Sequence, residues 1–200
     1  MRGAIFVDYA FYRRITLLQI KDGKWLINNI KLWCKKNPGV LGTINRVTEW
    51  EVYIFDARYD GNHAKFLKPG LIHEFQEDYH RMEKVGMHVR LGEYAIRYKV
   101  NDRMAKYGEF GEPYFMQKGV DTLIAIETMD ELQKGAAVFC YITNDRDFIP
   151  LFNRIKDEHK VSCVFYSSTA GESPGILSAV TFATDVNKEG WLQGSTRKLT

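Results

Sequence analysis

Four aspartates of this 200-residue chain stand where apolar runs give way to helices or turns, and their type and spacing suit the binding of a hard cation. Asp8 closes an apolar strand over residues 3–7. Asp145 and Asp147 follow the apolar run 137–142, which lacks polar alternation and suits a strand buried on both faces. Asp121 lies at the start of a helix that leads into that run. Ligands of open α/β sheets bind at the carboxyl edge, so acids from three separate segments can meet there. Carboxylates gathered in a wet cleft repel one another unless a cation neutralises them. Oxygen ligands favour Mg²⁺ or Mn²⁺. One or two such ions can activate a water and stabilise the leaving oxygen of an in-line phosphodiester displacement. The same residues also have a plainer use, because Asp, Asn and Thr are preferred helix caps and first-turn acids complement the helix dipole.

The central stretch, residues 136–152, sets the pattern. After the apolar run come Thr143-Asn144-Asp145-Arg146-Asp147, then Phe148, Ile149, Leu151, Phe152 and Ile155 at helical spacing, with Pro150 in the first turn. Residues 25–36 read as an amphipathic helix carrying Leu26, Ile27, Ile30 and Trp33, stopped by Asn37-Pro38-Gly39. Residues 47–55 form a second strand with Asp56 at its end, and 71–84 a helix with Phe75, Tyr79 and Met82 on one face. On that helix His73 and His80 are roughly 10.5 Å apart in rise, too far to share a metal. Residues 87–91 read as a third strand, and 94–100 pair back as a hairpin. Residues 101–115 read as a loop whose Tyr107, Phe110, Tyr114 and Phe115 can stack on bases or pin the loop to the body. Residues 161–166 make a fifth strand, and 176–180 start a last helix. Alternating strands and helices imply an α/β fold with a right-handed, mainly parallel sheet of about five strands. The expected organisation is one domain over residues 1–186, with an inserted hairpin or loop at 94–116, and a polar tail at 187–200.

With 45% apolar and 26% charged residues the composition is that of a soluble globular domain. No run approaches the roughly 18 apolar residues of a membrane span, and the acid at position 8 comes too soon for a signal peptide. Cys34, Cys140 and Cys163 have no metal-ligand spacing and leave an odd thiol, and Cys140 and Cys163 read as small core hydrophobes within strands, which points to a reducing, cytoplasmic compartment. A net charge of +3 permits a polyanionic partner without demanding one. The chain has no phosphate-binding loop, no GxGxxG after its first strand, no GxSxG and no zinc spacing. A phosphatase of the DxD type would want its acid pair at the first strand, where only Asp8 stands.

Three motifs together resemble the NYN domain, a family of the PIN-like superfamily of metal-dependent ribonucleases. They are Ile5-Phe6-Val7-Asp8-Tyr9-Ala10, Gln117-Lys118-Gly119-Val120-Asp121, and Ile142-Thr143-Asn144-Asp145-Arg146-Asp147-Phe148-Ile149-Pro150-Leu151. The resemblance runs from residue 3 to about residue 166. It implies a PIN-like three-layer α/β/α sandwich, hydrolysis of RNA phosphodiester bonds, and a Mg²⁺ or Mn²⁺ cofactor. Matched position by position, the catalytic and metal-binding acids would be Asp8, Asp121, Asp145 and Asp147, with Glu127 as a weaker candidate. Lys118 stands near the same edge, where it can contact a phosphate or remain a solvated lysine. Thr143 and Asn144 join it as substrate-binding candidates.

The chain departs from the family pattern at two places. Phe11 stands where members commonly carry Asn, and Thr143-Asn144 where they commonly carry Ser-Gly; Asn is among the residues that tolerate a positive φ. These departures motivate a second reading, a catalytically weak RNA-binding or scaffold protein that keeps the fold. Single-stranded RNA is the expected partner, no membrane is implied, and a homo-oligomer is compatible with either reading.

Overall fold

The computed structural model describes residues 1–16, 18–100, 103–104, 111–168 and 174–186. The chain opens with β1 (Arg2–Asp8), then α1 (Tyr9–Ile15), α2 (Gly23–Trp33), α3 (Pro38–Asn45), β2 (Glu49–Arg58) and α4 (Leu71–Lys84). A long strand β3 (His88–Val100) follows, then β4 (Arg103–Met104), β5 (Glu112–Lys118) and α5 (Val120–Gln133). The last part is β6 (Val138–Ile142), α6 (Ile149–Asp157), β7 (Val161–Tyr166), α7 (Pro174–Ala179) and β8 (Phe182–Asp185). The strand order is β4-β3-β2-β1-β6-β7-β8, with β5 paired to β3 outside that path. All pairs from β3 to β8 along the path are parallel, and only β4 and β5 run antiparallel to β3.

β1 lies between β2 and β6, so the chain builds outward in both directions from it. Crossovers on the two sides of such a strand leave a crevice at its carboxyl end, the switch point where α/β sheets bind ligands. Alternate residues of β1 point to opposite faces. Ile5 and Val7 pack with Leu26, Ile30, Trp33, Ile44 and Met82 from α2, α3 and α4. Ala4 and Phe6 pack with Ile124, Phe152, Ile155 and Ile176 from α5, α6 and α7. Helices therefore flank the sheet on both faces. Phe6 stacks between Tyr53 and Tyr141 at centroid distances of 5.3 and 4.9 Å, which ties β2, β1 and β6 together beneath the crevice. All five residues of β6 are buried, as its unbroken apolar run implies. Among the described residues no helix is long and apolar enough to cross a membrane.

Several expectations are corrected. Among the described residues the sheet has eight strands rather than about five. Residues 87–91 and 94–100 belong to one strand, and the expected loop 101–115 holds β4 and the first part of β5, the antiparallel partners of β3. β3 passes through Gly92, where any side chain would run into the carbonyl oxygen of Lys118. That close approach lets the β3–β5 ribbon continue past the end of β2. β8 was also not foreseen. Finally, Asn37-Pro38-Gly39 starts a helix as well as stopping one: Asn37 Oδ1 accepts from Val40 N at 3.2 Å and Pro38 sits in the first turn of α3. The tail 187–200 and the aromatic residues Tyr107 and Phe110 lie outside the described residues.

Candidate active site

Each acid of the proposed cluster stands at a junction fixed by local chemistry. Asp8 ends β1 and caps α1, its Oδ1 accepting from Phe11 N at 3.0 Å. Asp145 caps the single 3₁₀ turn Arg146–Phe148, its Oδ1 accepting from Asp147 N at 2.8 Å. Thr143 joins the two: its buried Oγ1 accepts from Asp145 N at 3.1 Å and donates to Asp8 Oδ2 at a long 3.5 Å. Asp121 lies in the first turn of α5, behind Gly119, whose φ of 79° is the left-handed conformation that favours glycine. Both plain capping roles are therefore real. A carboxylate that caps with one oxygen still has lone pairs for a further partner.

A cleft of ≈ 330 Å³ opens at this edge, lined by Asp8, Arg14, Gln117, Val120, Asp121, Asn144 and Asp145. Three of the four acids thus share one space, although Asp8 is more than a hundred residues from Asp121 and Asp145 in the chain. Burial raises the Asp8 pKa to about 6; the Phe11 N–H and Arg14 oppose this, while Asp56 and Asp121 add to it. The Asp121 pKa is raised by burial and by the negative charges of Asp145 and Asp147. Asp147 is exposed and outside the lining, close enough to act on Asp121 through its charge.

The other predicted residues are distributed differently. Lys118 is exposed and off the lining, and Thr143 is buried beneath it. Asn144 is on the lining, but its amide is clamped to one backbone: Nδ2 donates to Ser167 O at 2.9 Å and Oδ1 accepts from Ser167 N at 2.8 Å. Among the described residues His159 alone has a positive φ without being glycine, so Asn144 serves as a clamp between the ends of β6 and β7 rather than as a left-handed hinge. Glu127 is ion-paired with Arg90 of β3 and does not reach the cleft. Phe11 is fully buried in the core.

Sequence reasoning gave Arg14, Gln117 and Asp56 no role. Asp56, near the end of β2, is fully buried and takes hydrogen bonds from four elements. Its Oδ1 accepts from Ala57 N at 2.8 Å, Gln117 Nε2 at 3.0 Å and Tyr94 Oη at 3.5 Å. Its Oδ2 accepts from Tyr79 Oη at 2.7 Å and pairs with Arg13 at 2.6 Å. An acid at a strand end was the available signal, but its partners lie on α1, α4, β3 and β5 and could not be read locally.

The donor set at the cleft is all oxygen, which suits Mg²⁺ or Mn²⁺, and the Asp8 and Asp121 pKa values are raised first by burial and further by neighbouring carboxylates. Among the described residues, no three His, Cys, Asp or Glu side chains are gathered as a ready-made metal site. The residues fit such an ion in chemistry and in shared location.

No curated protein sequence matches the chain significantly. The model of the NYN domain matches residues 75–185, more than half of the chain. The chain belongs to the NYN domain family. NYN is a nuclease domain of the PIN-like superfamily. The match contains Asp121, Asp145 and Asp147 but begins within α4, so β1 and Asp8 lie outside it. A crystal structure of a protein of unknown function from Vibrio parahaemolyticus aligns over 94% of each chain with a TM-score of 0.51 and 14% identity. That likeness shows that the fold reaches across the amino-terminal part as well.

Proposed function

We propose that this NYN-domain protein is a metal-dependent ribonuclease whose centre is Asp8, Asp121 and Asp145, with Asp147 at its margin. The observation that carries the reading is the convergence of three aspartates on one cleft at the switch point, with Asp8 and Asp121 displaced upward in pKa. Acids whose pKa is raised by burial together with neighbouring carboxylates in a cleft are functional-site candidates. Asp8, Asp121 and Asp145 would hold Mg²⁺ or Mn²⁺, which supplies charge neutralisation and an activated water for phosphodiester hydrolysis. The chain's own residues do the positioning. Thr143 keeps Asp8 and Asp145 in register, and Asn144 anchors their loop to Ser167. Arg14 on the cleft wall and Lys118, exposed and next in sequence to the lining residue Gln117, would provide positive charge for the phosphates that flank the scissile bond. The working compartment in this reading is the cytoplasm, and the substrate is single-stranded RNA.

The test is cleavage of a labelled single-stranded RNA with Mn²⁺, Mg²⁺ or EDTA, comparing the wild type with Asp145→Asn. The variant keeps a capping oxygen for Asp147 N, so folding should survive. The expected outcome is metal-dependent cleavage that falls on the order of a hundredfold or more in the variant. Equal cleavage by both proteins would remove Asp145 from the centre.

A second reading, an RNA-binding or scaffold protein without catalysis, is favoured by one observation. Asp8 and Asp145 each commit an oxygen to a cap, and among the described residues no three-ligand group is preassembled. It requires salt-dependent RNA binding with no metal-stimulated cleavage.

A further inference from the structure

The wall of the cleft contains two neutral amide side chains, Asn144 and Gln117. Asp8, Asp121 and Asp145 are anionic acceptors, Arg14 donates only, and Val120 is apolar. Both polar atoms of the Asn144 amide are engaged by Ser167. Gln117 remains, a neutral side chain that can present an acceptor without competing for a cation.

The orientation of that amide is set from behind. Gln117 Nε2 donates to Asp56 Oδ1 at 3.0 Å, the side chain's one hydrogen bond among the described residues. Oδ1 of Asp56 also accepts from the Ala57 N–H at 2.8 Å, and Oδ2 accepts from Tyr79 Oη and faces the Arg13 guanidinium at 2.6 Å, so both oxygens act as acceptors. The amide must therefore turn its NH₂ to Asp56, which leaves the carbonyl Oε1 as an unused acceptor. Oε1 is held firmly, because Asp56 is fully buried and braced by Tyr79, Arg13 and the Ala57 N–H. Gln117 also faces Tyr94 across the β3–β5 pair and stands two residues before Gly119, from which α5 and Asp121 start. Its distance from the acid cluster is fixed by the same backbone.

We propose that Gln117 is a specificity-determining residue: its Oε1 accepts a hydrogen bond from a substrate 2′-hydroxyl and so sets a preference for RNA over DNA. The inference rests on the ribonuclease reading for the identity of the ligand. A phosphodiester engaged by the acid cluster brings its own sugar within the same cleft, and the 2′-hydroxyl is the donor that distinguishes RNA from DNA. Sites that present a fixed acceptor to a substrate hydroxyl discriminate against the analogue that lacks it, because the acceptor is then left unpaired.

The test is a cycle between protein and substrate. A short labelled RNA, the same RNA carrying a single 2′-deoxy sugar stepped along its length, and DNA of the same sequence are compared on the wild type and on Gln117→Met. Binding is read with Mn²⁺ present at times too short for cleavage, and kcat/KM is read separately. In the wild type, one 2′-deoxy position is expected to weaken binding about five- to tenfold, the effect of losing one hydrogen bond. Gln117→Met should lose the same factor on all-ribose RNA and nothing further at that position. Thermal melting confirms that the variant folds; if it does not, Gln117→Asn, which keeps an amide but shortens its reach, takes its place. A sugar effect that persists in the variant overturns the proposal. So does a wild type indifferent to every 2′-deoxy substitution, or a loss that follows base identity rather than sugar. A wild type that binds RNA but never cleaves it defeats the ribonuclease reading, while the binding cycle still decides the role of Gln117. A wild type that binds neither RNA nor DNA overturns both.

Discussion

The two ends of the parallel sheet treat their carboxylates in opposite ways. Near the amino end, Glu131 of α5 is fully buried, yet it accepts from Arg2 at 3.1 Å, Lys134 at 2.9 Å and Tyr53 Oη at 2.8 Å. Burial pushes its pKa up, but hydrogen bonds from Lys134, Tyr53 and Arg2 outweigh this and hold the carboxyl below its ordinary value. At the carboxyl end, Asp8 and Asp121 are raised, first by burial and then by other acids. Asp56 stands between the two cases, raised by burial while Arg13, Tyr79 and its other donors pull it back. All are carboxylates penalised by burial, and the difference lies in the donors and countercharge that offset it. A carboxylate surrounded by donors holds the fold together, whereas one surrounded by carboxylates stores unfavourable energy that a cation can release.

The contrast can be broken or sharpened by experiment. Glu131→Gln should destabilise the protein by about 2–3 kcal/mol, because Arg2, Lys134 and Tyr53 lose the acceptor they share. That figure is kept modest because the Arg2 and Lys134 side chains are 29% and 50% exposed and can turn to water. Chemical denaturation measures it. Asp8→Asn, measured in EDTA, should have the opposite sign and stabilise by about 1–2 kcal/mol at neutral pH, since Asn still caps α1 and the misplaced charge is gone. Loss of stability in that variant would show that the carboxyl end is no more strained than the amino end.

The pH dependence follows from the direction of the Asp8 shift. Its folded value of about 6 exceeds the ordinary 3.8, so this carboxyl contributes most below about pH 4 and loses that contribution as the pH rises through 6. The advantage of Asp8→Asn should therefore vanish in acid, grow between pH 4 and 6, and level off above. A smaller effect is expected from the cation itself. Mg²⁺ or Mn²⁺ at ten times its Kd should stabilise the wild type by about 1.4 kcal/mol. The same addition should leave Asp8→Asn nearly unmoved. Equal stabilisation of both would place the ion elsewhere.

Much of the site was legible because its parts are local. Asp8 and Asp145 each follow an apolar run and precede a helix or turn, and Gly119 announces the left-handed start that brings Asp121 to α5. Such signals depend on neighbours within a few residues. An inserted hairpin or loop at 94–116 was legible, but not that it continues β3 and pairs residues 93–99 with 112–118, because that pairing depends on contacts made elsewhere. Tyr94 stacks on Tyr59 at 4.1 Å, and Phe115 meets the same ring at 5.4 Å, so these aromatics pin the ribbon to the body. Phe115 thus takes the anchoring role that was one of its two readings. Glu127 looked like a further acid of the site, and only the packing of α5 against β3 revealed Arg90 as its partner.

From the sequence alone came the α/β alternation, the family resemblance and the four strand-end or helix-start aspartates, because each is written in short-range periodicity and capping chemistry. Only the tertiary structure decided which acids share a cleft, which are neutralised, and that Arg14 and Gln117 join them. Those outcomes turn on countercharge and burial, and both are supplied by residues distant in the chain that meet when the sheet closes around β1.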